Sequence, residues 1–267
     1  MIALAITGGI AIGFALGLTG GGGGIFAVPW LVYALALPAR QAVGISLAAV
    51  GATALVGAIA RMRRGETNVR VGLLFAVAGM VGAPLGQRLS LLLPESALLL
   101  LFSGLMLVVA VRMWSKSRSA RGDESSEDVG RFVCHRDEHG QPALGPRCVA
   151  LLSALGLAAG VLAGTFGVGG GFVIVPALVL FGGLAIHTAV ATSLLVIFLI
   201  SVSGVTSYVV AGDDISWRLA VLFAVGGVAG MQLGTRLAAK LSGPTLQRVF
   251  AVAMVAVAAF VVAKSIA

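Results

Sequence analysis

The chain has 267 residues, of which 59% are apolar and 10% are Asp, Glu, Lys or Arg, where an average soluble protein carries roughly 25% charged residues. With 38 glycines and a mean hydropathy of +1.07, it has too little charge to cover a water-soluble globule. The net charge of +8 sits between apolar runs rather than in a patch interleaved with aromatics, so composition excludes a soluble enzyme, a disordered chain and a nucleic-acid binder.

Residues 2–37 open the chain as an apolar run broken by five consecutive glycines, Gly20, Gly21, Gly22, Gly23 and Gly24. No positive segment precedes it, and apolar segments follow throughout, which favours a retained membrane segment over a signal peptide. An unbroken helix of this length would measure about 54 Å, against a hydrocarbon core of roughly 30 Å. Two shorter helices joined at the glycines are expected, either as one span with an unwound point or as a re-entrant hairpin. Residues 42–60, 70–90 and 97–114 then read as ordinary spans.

Residues 115–147 hold six basic and six acidic residues and no apolar run, and read as a flexible polar linker on the cytoplasmic side. Cys134 and Cys148 define no disulfide framework. With His135 and His139 they supply zinc-ligand types, but the spacing matches none of the usual paired patterns. Neither a metal nor a cofactor is expected. Beyond the linker, residues 148–184 form a second glycine-broken run, followed by spans over 189–210, 218–237 and 246–264. Residues 148–210 contain no Asp, Glu, Lys or Arg.

The chain is built twice. Residues 17–29, GLTGGGGGIFAVP, align with residues 164–176, GTFGVGGGFVIVP, at an offset of 147. The register continues through Ser46 and Ser193, Gly57 and Gly204, and Gly65 and Gly212. After one inserted residue it continues through Gly82 and Gly230, Gly86 and Gly234, and Arg88 and Arg236. The organisation is therefore residues 1–114 as a first membrane repeat, 115–147 as the linker and 148–267 as a second repeat. The fold class is an all-α polytopic membrane protein with two homologous four-helix repeats. Internal repeats of this kind recur in secondary transporters.

A glycine run admits left-handed turns and lets a ligand approach without meeting a Cβ. It also frees backbone N–H groups ahead of a new helix, where partial positive charge suits an anion. Candidate substrate-binding residues are therefore Gly20–Gly24 in the first half and Gly167, Gly169, Gly170 and Gly171 in the second. A packing reading of the same glycines requires only a kink or a close crossing. The two segments should meet inside the bundle, because either alone would expose unpaired backbone to lipid. On this reading a side chain added at Gly23 or Gly170 should harm transport more than folding. No Lys-Ser or Lys-Thr follows the glycines, which excludes a phosphate-binding loop of the Walker type.

Ser46 and Ser193 add register-matched hydroxyls, although such hydroxyls commonly bond their own helix. Arg88 and Arg236 are matched cations at the ends of the third spans, where snorkelling to the interface is the simpler role. The stripes Gly79, Gly82, Gly86 and Gly226, Gly230, Gly234 suit close helix packing. The acids are confined to loops, so no catalytic pair is assembled.

Arg61–Arg70 carries four basic residues and Arg112–Arg147 seven, so both segments are expected to be cytoplasmic. Kinked single spans place both termini inside, with 13 basic residues inside and five outside; re-entrant hairpins invert the halves and place both termini outside, with 14 and four.

The GxxGxGGGxxxxP pattern opening each half, its duplication, the polar central loop and the length resemble the TauE/SafE family of membrane permeases, the sulfite exporters. The first copy carries Gly at both variable positions and the second carries Val168. The resemblance implies eight spans and a proton-linked or ion-linked carrier of sulfite, sulfonates or related organosulfur anions. It places the protein in the inner membrane, with the lipid bilayer and a small anion as partners, and leaves oligomeric state open. The alternatives are a carrier of another solute such as a metal ion, or a channel or structural membrane protein.

Overall fold

The computed structural model describes residues 2–21, 23–92, 145–167 and 171–238, together with positions 94, 101, 104, 240, 252 and 255. The linker and most of the expected spans 97–114 and 246–264 lie outside the described residues. The chain is an all-α polytopic membrane protein, and among the described residues six helices are long and apolar enough to cross a bilayer. In lipid each backbone amide must find its partner within the protein, and an apolar chain meets that demand locally by forming helix.

The first half contains α1 (Ile2–Thr19), α2 (Gly23–Tyr33), α3 (Ala39–Arg63) and α4 (Val69–Leu92). The second contains α5 (Pro146–Phe166), α6 (Gly171–Leu180), α7 (Ile186–Val210) and α8 (Trp217–Ala238). With 11 and 10 residues, α2 and α6 are only about 16 and 15 Å long, roughly half a bilayer core.

The chain turns back at the first glycine run. Trp30 Nε1 donates to Leu4 O at 3.2 Å, Gly8 faces the Trp30 ring, and Gly23 faces Ile12 and Leu16. These contacts run α2 antiparallel along α1 as a helical hairpin. A single kinked helix would instead carry Trp30 away from Leu4.

Backbone details recur between the halves at the 147-residue offset. Gly20 and Gly167 have φ of 72° and 69°, Gly65 and Gly212 have 70° and 80°, and Ala36 and Gly183 have 53° and 64°. Leu37 N donates to Leu31 O at 3.2 Å, and Leu184 N to Leu178 O at 3.1 Å. Ala36 adopts the left-handed conformation without being glycine, at a cost of roughly 1–2 kcal/mol, so the turn after α2 is imposed by its surroundings.

The glycine stripes pack helices against one another. Gly226, Gly230 and Gly234 on α8 lie against the backbone of Ile6, Ile10 and Phe14 on α1. Gly156, Gly160 and Gly164 on α5 lie against Phe75, Gly79 and Ala83 on α4. Numbers rise together in both pairs, so α1 runs parallel to α8 and α4 parallel to α5. Between α3 and α7 they oppose: Gly44 meets Tyr208, Leu47 meets Gly204 and Gly51 meets Ser201. Each opening helix thus packs on the last described helix of the other half. Away from these seams, Val77 and Val81 on α4 are 61% and 60% exposed, and Val221 and Val225 on α8 are 59% and 63% exposed. Apolar rows at this spacing suit lipid contact, since chain tails offer no penalty to buried valine.

Cys148 is buried at the start of α5.

Candidate functional site

The two glycine breaks come together. Gly21 and Gly171 touch each other, and Gly171 also packs on Ile197, midway along α7. Gly20 packs on Val190 and Ser193 of α7, and Gly167 packs on Val43 of α3. Each break therefore docks on the long third helix of the opposite half. Because α2 begins at Gly23 and α6 at Gly171, two helix N-termini converge near the middle of the bundle. Each terminus carries unsatisfied N–H groups and the positive end of a helix dipole.

Ser193 stands beside this junction. Its Oγ lies 2.7 Å from Gly20 O and 2.8 Å from Val190 O, so one hydroxyl proton is shared between the break and its own helix. Ser46 occupies the matching position on α3, one turn beyond Val43. It is fully buried, yet its Oγ has no hydrogen-bond partner. A buried hydroxyl left unpaired carries a penalty of about 1–3 kcal/mol. Thr192, beside Ser193, is committed elsewhere: its Oγ1 accepts from Asn68 N at 3.0 Å, and Asn68 Oδ1 caps α4 by accepting from Val71 N at 3.2 Å.

The candidate residues thus separate into groups. Gly20, Gly21, Gly171 and Ser193 are brought together, Gly167 docks alongside, and Gly24 is buried at the start of α2. Gly22, Gly169 and Gly170 lie outside the described residues. Gly23 has a packing role, because a Cβ there would meet Ile12 O and the Leu16 backbone. A Gly23→Ala change would therefore disturb the hairpin itself, so it cannot separate transport from folding as the sequence suggests. Arg88 and Arg236 are exposed near the ends of α4 and α8, which run in opposite directions. They do not converge on the junction, and snorkelling accounts for both.

Polar groups that the sequence did not bring forward lie at the two ends. Arg61, in the last turn of α3, is only 6% exposed; its Nη1 lies 3.4 Å from Glu66 Oε2, and its Nε has no partner. At the matching position on α7 stands Tyr208, followed by Asp213 where the first half has Glu66. Gln87, buried in α4, donates from Nε2 to Asp213 Oδ2 at 3.3 Å. The two turns share one backbone design: Glu66 N donates to Arg61 O at 3.1 Å, and Asp213 N to Tyr208 O at 3.2 Å. The 147-residue offset, which pairs Gly65 with Gly212, also sets Arg61 against Tyr208 and Glu66 against Asp213, so the correspondence of the turns is legible in the sequence while the burial of Arg61 is not.

These features define a polytopic membrane protein whose two helix breaks meet in its interior. The sequence model for the family "Sulfite exporter TauE/SafE" matches residues 5–261, and the chain belongs to that family. It is a membrane transporter, not an enzyme. It is 36% identical over 257 residues to a "Probable membrane transporter protein" of Xylella fastidiosa, covering 95% of this chain and 92% of that one. It is also 29% identical over 229 residues to "Probable membrane transporter protein YdhB" of Bacillus subtilis, covering 84% and 85%. A further relative, "Probable membrane transporter protein YunE" of the same organism, is 26% identical over 254 residues, covering 92% of each chain. No solved structure matches the chain.

Proposed function

We propose that the protein is an inner-membrane secondary carrier of a small oxyanion of sulfur, sulfite or a sulfonate, bound where the two glycine breaks meet. The observation that carries this reading is the convergence of the α2 and α6 N-termini at the Gly21–Gly171 contact, midway along α7. Two positive helix ends facing one point in a low-dielectric interior favour an anion and disfavour a cation. Ser46, buried with a free hydroxyl, adds a donor at the same level of the opposite long helix. A cation carrier would instead need carboxylates or soft ligands there.

On this reading the halves are inverted repeats. The parallel pairs α1–α8 and α4–α5 and the antiparallel pair α3–α7 are the packing that a two-fold axis in the membrane plane produces, and binding at a repeat interface suits alternating access. The α3–α4 turn and the linker face the cytoplasm, and both termini face outward. Among the described residues no carboxylate stands at the junction, so proton coupling would ride on the substrate: sulfite and its protonated form interconvert in water and need no protein acid.

Purified protein in liposomes under an imposed pH gradient tests the class. Sulfite, sulfate, sulfoacetate, taurine and chloride are compared as substrates and competitors. The expected result is gradient-dependent flux of a sulfur oxyanion, inhibited by its analogues. Flux of a metal cation, or none of any anion, would refute the reading.

A further inference from the structure

We infer that Arg61 is a second anion contact, at the cytoplasmic end of the transport path, and that Glu66 is an internal stand-in which an incoming oxyanion displaces. The inference rests on the anion-carrier reading and adds to it a capture residue and a sidedness. A guanidinium offers five N–H donors in a rigid fork, suited to a pyramidal or tetrahedral oxyanion through two of its nitrogens. Arg61 is 6% exposed, and among the described residues one carboxylate contact at 3.4 Å engages it, while Nε has no partner there. A cation this buried is ordinarily paired and fully hydrogen-bonded.

The partner is held loosely. The Glu66 side chain is 41% exposed, and its 3.4 Å contact is longer than a strong charge-assisted bond. Its place in the turn does not depend on the carboxylate, because Glu66 N bonds Arg61 O through the backbone. Thr67 Oγ1, next in sequence, is also buried without a partner and supplies a neutral donor at the same turn.

Arg61 shares a helix face with Ser46. Ser46, Val50, Ala54, Gly57 and Arg61 follow one another on α3 at spacings of three and four, and all are buried. One face of α3 thus runs about 22 Å from the free hydroxyl to the guanidinium. On the matching face of α7, Tyr208 stands where Arg61 would be, so a buried cation at this register belongs to one end only. Four basic residues in Arg61–Arg70 mark that end as cytoplasmic. Anions leaving the cell therefore meet a buried guanidinium first, and the sites are biased toward loading from inside.

Equilibrium binding to the purified full-length protein tests this, with sulfite, sulfate and methanesulfonate as probes. Glu66→Gln removes the competing charge and leaves the turn intact, and should tighten binding of the bound oxyanions by about threefold or more. Arg61→Gln should weaken it by about tenfold, with Arg61→Lys between, since lysine keeps charge but loses the fork. Asp214→Asn, an exposed acid in the other turn, is the control and should change nothing. Unchanged affinity in Glu66→Gln, or an equal gain in Asp214→Asn, overturns the inference. Tightening in Glu66→Gln with normal binding in Ser46→Ala would uphold Arg61 and sink the junction site. Loss in Ser46→Ala with no change in Glu66→Gln would do the reverse. If no probe binds the wild-type protein, both fall.

Discussion

The two register-matched serines should respond in opposite ways to the same small change. Ser193→Ala removes a hydroxyl that reaches Gly20 O at 2.7 Å and Val190 O at 2.8 Å, leaving the Gly20 carbonyl short of a donor in a dry interior. Interhelical hydrogen bonds in membranes average less than their aqueous counterparts, so the expected loss is about 1 kcal/mol, up to about 2. Ser46→Ala removes an Oγ that is fully buried and has no partner. It should relieve an unpaired polar group and stabilise by a few tenths to about 1 kcal/mol. For a chain of this size each kcal/mol moves the melting midpoint by about 2–4 °C. Thermal melts of the detergent-solubilised variants should therefore place Ser46→Ala above wild type and Ser193→Ala below it. Function should move differently. If Ser46 donates to the bound anion, Ser46→Ala should weaken sulfite or sulfonate binding by about tenfold, the equivalent of about 1.4 kcal/mol, while the protein becomes more stable. A Ser46→Ala protein that melts lower and binds normally would refute both halves of the reasoning.

The glycines should divide by what a methyl group would meet. Gly160→Ala drives a Cβ into the Gly79 backbone, which cannot yield, and should sharply reduce folded protein in the membrane; Gly65→Ala meets nothing within 4 Å and should cost only the roughly 1–2 kcal/mol of its positive φ. Equal expression of the two would contradict the helix contacts. The linker should face the cytoplasm because seven basic residues lie in Arg112–Arg147. Cys134 should resist an impermeant maleimide in intact cells, and external labelling would reverse the assigned orientation.

Composition alone determined that the chain lives in a membrane, because a 10% charged content leaves no soluble alternative. The repeat was equally legible in its register, and turn glycines such as Gly65 and Gly212 are held in it by their positive φ. Gly79, Gly82 and Gly86 announced a close seam through their spacing, though not which helix would fill it. Direction was beyond the sequence: a glycine run permits a kink or a reversal with equal ease, and only the Trp30–Leu4 contact shows the chain turning back. The meaning of individual polar residues was hidden for a related reason. Gly23 reads as a ligand contact, and only the packing shows that it also lies against α1. Ser46 and Ser193 are equivalent in sequence, yet one is bonded and the other is not. Arg61 looks like one more interfacial arginine beside Arg63 and Arg64 until its neighbours close over it. Burial and partnership are properties of packing between distant segments, and local sequence carries no record of which segments those will be.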